Sequence, residues 1–425
     1  MKILCFFTVF FIVSLAQAQI VDIPDENFKY ILTHFGIADL DGDGVTDGVV
    51  DTNSDDEIQV TEAEAVFGLQ LFPIEIISSL EGIESFINLE WLSVLGHDLE
   101  ILDLSQNVNL ENLTCSSTPL TNIIFPQNSN LMEIYCTNNN LSSIDVSSCT
   151  NLTKLTVGNN QLTNLDLTEN LDLEELYCWL NDITEINVAN SINLINLDVS
   201  SNQLSTLDLT QNQKLRYLNI EANLITEIDL SHNSELTQLF CVANLLHSLD
   251  VSQNTKLEYI RAQSNFITSL DFSQNTSLNH ITCNNNQLTN LNVQNGIDED
   301  LNTLWAFDNP DLLCIKVDEE NYGICDIFYD TGWCIGEGTL LSEDCVLAIE
   351  DANKVNFVIS PNPVQDILFI ESQERIESVT IFSFHGGIIQ EAISNRIDVS
   401  QLNAGMYFLQ VIVSGKSEIR KFIKN

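Results

Sequence analysis

The chain has 425 residues, with 61 acidic side chains against 15 basic ones and a formal net charge of −46. That balance argues against nucleic acid as a partner, because phosphate binding rests on clustered Lys and Arg, and it disfavours docking on anionic lipid. The 44% hydrophobic content suffices for a packed core and excludes general disorder; the length predicts two or three domains. The charge is unevenly placed. Residues 20–353 carry seven basic and 54 acidic side chains, net −47, whereas residues 354–425 carry seven of each. Two units of different character therefore meet near residue 350.

At the N-terminus, Met1-Lys2 precedes an apolar run from Ile3 to Ala16 and the small-x-small site Ala16-Gln17-Ala18. This pattern predicts a secretory signal over residues 1–18. The run is too short to span a bilayer and no later segment reaches eighteen apolar residues, so the chain is expected to be exported without membrane insertion. An N-terminal cap is expected over residues 19–79. There, Pro24-Asp25-Glu26 opens a short helix with Phe28, Ile31, Leu32 and Phe35 on one side.

Two acidic loops follow, one with Asp39, Asp41, Asp43 and Asp47, the other running from Asp51 to Glu62. The second resembles an EF-hand calcium loop. Asp51, Asn53 and Asp55 fall at positions 1, 3 and 5, Ile58 at the apolar position 8, and Glu62 at position 12. The resemblance implies a structural calcium ion held by Asp51, Asn53, Asp55, Glu62 and the carbonyl of Glu57, with Gln59 contacting it through water. The loop departs from the pattern where Asp56 replaces the turn glycine, and no clear helix enters it. A plain acidic turn is the alternative. The upstream loop is a second candidate that has Val50 where position 12 requires an acid.

A repeat then governs the chain. Leu92, Leu113, Ile134, Leu155, Leu176, Leu197, Leu218, Leu239, Ile260 and Ile281 stand 21 residues apart, and Leu304 follows after a 23-residue coil. Around Leu155 the unit reads Leu152-x-x-Leu155-x-Val157-x-x-Asn160-x-Leu162. It resembles the leucine-rich repeat, with the short-coil bacterial internalins nearest, over residues 80–312. The expected fold is a parallel β-solenoid of about eleven coils with little helix. Alternation puts Leu155 and Val157 inside a short strand and Thr156 outside. One coil cannot bury its apolar edge, but a stack makes a continuous core. An Asn ladder, Asn139, Asn160, Asn181, Asn202, Asn223, Asn244, Asn265 and Asn286, is placed to satisfy backbone groups where the chain leaves each strand. A second column, Asn107, Asn128, Asn170, Asn212, Asn233, Asn254 and Asn275, marks the opposite corner, and short strands and turns are expected on the back. Cys115, Cys136, Cys178, Cys241 and Cys283 share the inward position of Val157. They read as free core thiols, with a Cys115–Cys136 bridge the alternative that strand geometry often disfavours.

The positions flanking the inward ones carry Trp91, Tyr135, Tyr177, Trp179, Tyr217, Phe240, Tyr259, Arg261, His280 and Trp305. On the concave face of a solenoid such rings suit an extracellular protein or glycan, and Glu133, Glu175 and Glu221 beside them favour a polar or cationic partner. Aromatics also have good strand propensity and pack across a ladder, which is the plain alternative. The column Asp103, Asp145, Asp166, Asp208, Asp229, Asp250 and Asp271 is assigned to turn hydrogen bonding on the back. No HExxH, GxSxG, CxxC or phosphate-binding glycine loop is present and the six His are scattered, so the chain is not expected to be an enzyme.

Cys314, Cys325, Cys334 and Cys345 lie outside the repeat register, in an expected cap and linker over 313–350. In an exported protein they read as two disulfides; of three possible pairings, Cys314–Cys345 enclosing Cys325–Cys334 is preferred. In residues 351–425, short alternating strands between Gly, Pro and Asn turns predict a sandwich of about seven strands. Ser360-Pro361-Asn362-Pro363, Gly405-Met406-Tyr407 and the final Lys421-Phe422-Ile423-Lys424 resemble the type A C-terminal sorting domain of the type IX secretion system, found in Bacteroidetes. The resemblance implies that residues 356–425 engage that secretion machinery and that the rest is delivered to the surface or beyond. The reading is a secreted or surface binding protein. Its alternative is a structural matrix component that self-associates with calcium.

Overall fold

A computed structural model describes residues 19–127, 129–296, 301–318, 332–345, 357–372, 375–383, 388–413 and 416–425. The predicted signal, Asn128 and Cys325 lie outside them. The described residues form two compact units. The first runs to Leu312 and adds residues 332–337; the second takes the strand Cys314–Lys316 and the chain from Gly338 onward.

The first unit is a leucine-rich-repeat solenoid built on one fourteen-stranded sheet. Its first strand, Ala38–Asp39, pairs antiparallel with Gly68–Leu71; every later strand, as far as Gly332–Cys334, lies parallel to its neighbour. The 21-residue anchors are in register: Leu92 pairs with Leu113, Leu113 with Ile134, and Leu155 with Leu176. They are at most 1% exposed, and so are Val94, Val157, Val199 and Ile220 on the same inward face. Alternation thus places two side chains of each short strand in a dry stack, and the coils bury one another's edges.

The solenoid has about twelve turns, more than the eleven expected. Leu69 pairs with Leu92 across 23 residues and Trp333 with Leu304 across 29, so both additions fall outside the strict period. The back carries turns and short parallel pairs, such as Ile101–Asp103 with Asn122–Ile124 and Ser269–Asp271 with Asn290–Asn292. Along it, Asp145, Asp166, Asp208, Asp229 and Asp250 each accept a backbone N–H two residues on. These bonds, with the hydroxyls of Ser147, Thr168, Thr210, Ser231 and Ser252, hold the five carboxyls below their ordinary range. The column is turn chemistry, as its regularity suggested.

The Asn ladder ties each coil to the one before. Asn160 accepts the Leu141 N–H at 3.1 Å and donates to the Cys136 carbonyl at 2.8 Å; Asn181, Asn202 and Asn223 repeat the pattern. Asn309, displaced by the longer coil, continues it by accepting from Leu288 and donating to Cys283. Cys115 and Cys136 do not remain free thiols. They form a disulfide between adjacent coils, with Cα atoms 4.8 Å apart. Cys149, Cys178, Cys241 and Cys283 are free and buried.

At the N-terminal end, the helix Glu26–His34 buries Phe28, Ile31 and Leu32. Phe35 lies beyond the helix end as its C-cap and is only half-buried. Asp25 caps the helix through the Asn27 and Phe28 N–H groups, while its second oxygen accepts from Ser78 and Ser79. One carboxylate thus fastens the helix to the chain before Leu92.

In the second unit, Cys314 is bonded to Cys345 as expected. Cys334, in the first unit, is also disulfide-bonded. Two antiparallel sheets of three and four strands pack around Val364, Leu368, Ile370, Val379, Ile381, Leu409 and Phe422. This is the seven-stranded immunoglobulin-like sandwich expected from the alternation.

Candidate functional site

The long sheet buries its inward residues, and the flanking positions form the opposite face. All nine candidate residues and Trp305 stand there, Trp91 by itself near the first strand and the others in two groups. The first surrounds Lys154. Its ammonium lies 2.8 Å from a Glu175 carboxylate oxygen and within 5.3 and 5.8 Å of the Tyr135 and Tyr177 ring centres. The Glu175 bond raises the Lys154 pKa. Burial raises the Tyr135 and Tyr177 phenols, and the Glu175 charge raises Tyr177 further. The Tyr135 hydroxyl donates to Glu133 at 2.9 Å.

Trp179 closes this group by lying over the backbone of the preceding coil. A Cβ on Gly158 would sit 2.3 Å from the indole, so the ring's position depends on that glycine. Trp91 repeats the device: it covers Gly68, and its Nε1–H donates to Asp39 at 3.1 Å.

The second group is a ribbon of rings across four coils. Tyr217 and Phe240 have centroids 5.4 Å apart, Phe240 and Tyr259 5.3 Å, and Tyr259 stacks on His280 at 3.9 Å. Register makes it: Tyr217, Gln238, Tyr259 and His280 are laterally paired, and Phe240 sits between the two tyrosines from the next position along its strand. Arg261 donates from Nε to the Tyr259 hydroxyl at 2.8 Å. Trp305 continues the line beside Phe307 at 6.1 Å. Burial, then the nearby Asp198 charge, pushes the Tyr217 phenol up to about 12. His280 is itself buried, at 7% exposed, so the arrangement offers the half-buried rings of Tyr217, Phe240 and Tyr259 at one end and carboxylates among rings at the other.

The upstream acidic loop meets the sheet at its first strand, where Asp39 accepts from Trp91. Asp51 accepts the Ser54 and Asp56 N–H groups, Glu62 accepts those of Thr52, Asn53 and Gln59, and Asn53 and Asp55 bond Gln59. Glu57 pairs with Lys29 at 2.6 Å. Among the described residues, the carboxylates that converge within reach of one cation are those of Asp39, Asp41 and Asp43. Asp39 already accepts from Gly42, Gly44 and Trp91.

Residues 358–425 match the family described as the secretion system C-terminal sorting domain. No curated protein matches the chain. Among solved structures, the functional domain of InlJ from Listeria monocytogenes, which includes a cysteine ladder, is 21% identical, with 96% of this chain and 99% of that one covered and a TM-score of 0.47. YopM from Yersinia enterocolitica WA-314 is 23% identical, with 65% of this chain and 63% of that one covered and a TM-score of 0.45. No helix among the described residues is long and apolar enough to cross a membrane. The sorting domain marks a type IX secreted protein of the cell surface or extracellular space, and its body is a leucine-rich-repeat solenoid.

Proposed function

We propose that this exported chain recognises a protein or glycan outside the cell through the open face of its long sheet. The observation that carries the reading is the ring ribbon Tyr217, Phe240, Tyr259 and His280. Cross-ladder packing covers these rings in part, and the ring faces left open are what sugar rings and protein hot spots use. Pure strand propensity would scatter aromatics over all coils. Here Asn196 and Asp198 hold the flanking positions of the strand between the groups, and Thr114 and Thr156 hold them beside Tyr135.

Calcium enters this proposal as a structural ion. Asp39, Asp41 and Asp43 would hold it near the first strand, remote from the ring ribbon in the coil order. The test is a screen of the exported chain against polysaccharides and surface-protein extracts, with and without calcium. Each hit is repeated with Tyr177, Trp179 and Tyr217 replaced by Ala. Loss of affinity in the variant supports the reading. Unchanged affinity sinks it, and calcium-driven self-association with no ligand would favour the matrix role.

A further inference from the structure

One stripe of the solenoid breaks the repeat's own rule. The position just after the Asn ladder is polar in most coils: Asn140, Gln161, Asp182, Gln203 and Gln287. In three consecutive coils it is Leu224, Leu245 and Phe266, and these are 49%, 37% and 40% exposed. His247 stacks on Phe266 at 5.6 Å and widens the patch. The stripe belongs to the same coils as Tyr217, Phe240 and Tyr259. The corner between ribbon and stripe is turned by Ala222, Ala243 and Ser264, which hold positive φ and carry small side chains.

Charge is polarised along the same face. Toward the first coils the strand-flanking positions hold Glu133, Glu175 and Asp198 beside the cation Lys154, which Glu175 already pairs. The Leu218 coil is the changeover, with Tyr217 on its strand and Glu221 two residues beyond it, and toward the last coils the strands carry Phe240, Tyr259, Arg261 and Trp305, with Val242 and Phe307 just past their ends. We infer that the partner is a protein segment with Lys or Arg at one end and large apolar side chains at the other. It lies along the solenoid axis, its cationic end over Glu133, Glu175, Asp198 and Glu221 and its apolar end over the ribbon and the Leu224–Leu245–Phe266 stripe. Aliphatic side chains decide against a sugar: a glycan stacks on rings and needs hydrogen bonds around them, and it gains little from leucine. The carboxylates complement a cation and steer it.

Length sets the size of the segment. From the Glu133 strand to the Trp305 strand there are eight lateral steps, and at ~4.8 Å each they span about 40 Å, or roughly a dozen residues of extended chain at ~3.3 Å apiece.

The inference rests on the open-face reading above, and the experiment separates the two. The full exported chain is immobilised and probed with dodecapeptides that carry a Lys/Arg block followed by a Leu/Phe block, with acidic–apolar and shuffled controls, and in parallel with a glycan array. The cationic–apolar peptides should bind best. Leu224→Ser with Leu245→Ser should weaken them roughly tenfold or more, while Leu224→Met with Leu245→Met should retain binding. Glu175→Gln with Asp198→Asn should flatten the dependence of affinity on salt. All substituted stripe residues are surface-exposed, and thermal melts of each variant confirm that folding is intact. Glycans bound without peptides overturn this inference and leave the open-face reading standing. Peptides bound equally by the Ser variant overturn the stripe. Nothing bound in either arm overturns both.

Discussion

The Asn ladder makes a quantitative claim that one substitution tests. Asn202 is 8% exposed and makes four bonds. Its side-chain oxygen accepts the Ile183 N–H at 3.0 Å, and its amide donates to the carbonyls of Cys178, Val199 and Ser200 at 3.0 to 3.1 Å. The three carbonyls have second donors in Asn181, Asn223 and the Leu180 N–H. Asn202→Ala therefore strands one buried N–H completely and thins the bonding of three acceptors. A stranded buried donor costs ~1–3 kcal/mol and each thinned acceptor a fraction of that, so the loss should be about 3 kcal/mol. Asn202→Asp should cost more at neutral pH, because its carboxylate faces three carbonyls with no proton to give. It should recover as pH falls and the acid gains a proton that it can donate. Urea unfolding of the full chain measures both, and hydrogen exchange at Ile183 reports the stranded amide. A loss under about 0.5 kcal/mol for Asn202→Ala, with the Ile183 amide still protected, would refute the bonding argument.

Leu180 holds φ at 50° while half exposed. Since a left-handed residue with a Cβ costs ~1–2 kcal/mol and Asn tolerates that region better, Leu180→Asn should stabilise by about 0.5–1 kcal/mol in the same urea assay. The Cys115–Cys136 bridge closes 21 residues, a loop size for which chain entropy gives ~3 kcal/mol, so Cys115→Ser with Cys136→Ser should lower the unfolding free energy by about that amount. Burial pushes the Cys241 and Cys283 thiols up to about 12, so iodoacetamide at pH 8 should label neither until the chain is unfolded, as mass spectrometry would show. At Asp25, burial acts to raise the pKa, but hydrogen bonds from Phe28, Ser78 and Ser79 outweigh it and hold the carboxyl below its ordinary value. A depressed folded pKa stabilises above the unfolded value of ~3.9 and ceases to do so as pH falls through the folded one, so the cost of Asp25→Asn should shrink below about pH 4.

The repeat was legible because ten anchors share one spacing and one inward position, and the Asn and Asp columns followed from the same register. What escaped lay off the period: the Gly68–Leu71 strand, the Gly332–Cys334 strand and Asn309. The Cys115–Cys136 bond escaped for another reason, since an inward cysteine looks the same from sequence whether it pairs or packs. The ring positions were legible from alternation. That Trp179 lies over Gly158 was not, because a glycine one coil away carries no signal until the coils are stacked. In the acidic loops, spacing could not show that backbone N–H groups bond Asp51 and Glu62, nor that the carboxylates of Asp39, Asp41 and Asp43 converge. Leu224, Leu245 and Phe266 stand out only once their position is known to face outward.

The central claim is that the open face of the long sheet is the recognition surface. Hydrogen exchange of the full chain with and without a bound ligand from the screen tests it most directly. The account predicts slowed exchange in the strands from Glu175–Tyr177 through His280–Thr282 and at Leu224 to Phe266. Protection confined to the back, around Asp166, Asp208 and Asp250, with those strands unchanged, would contradict it.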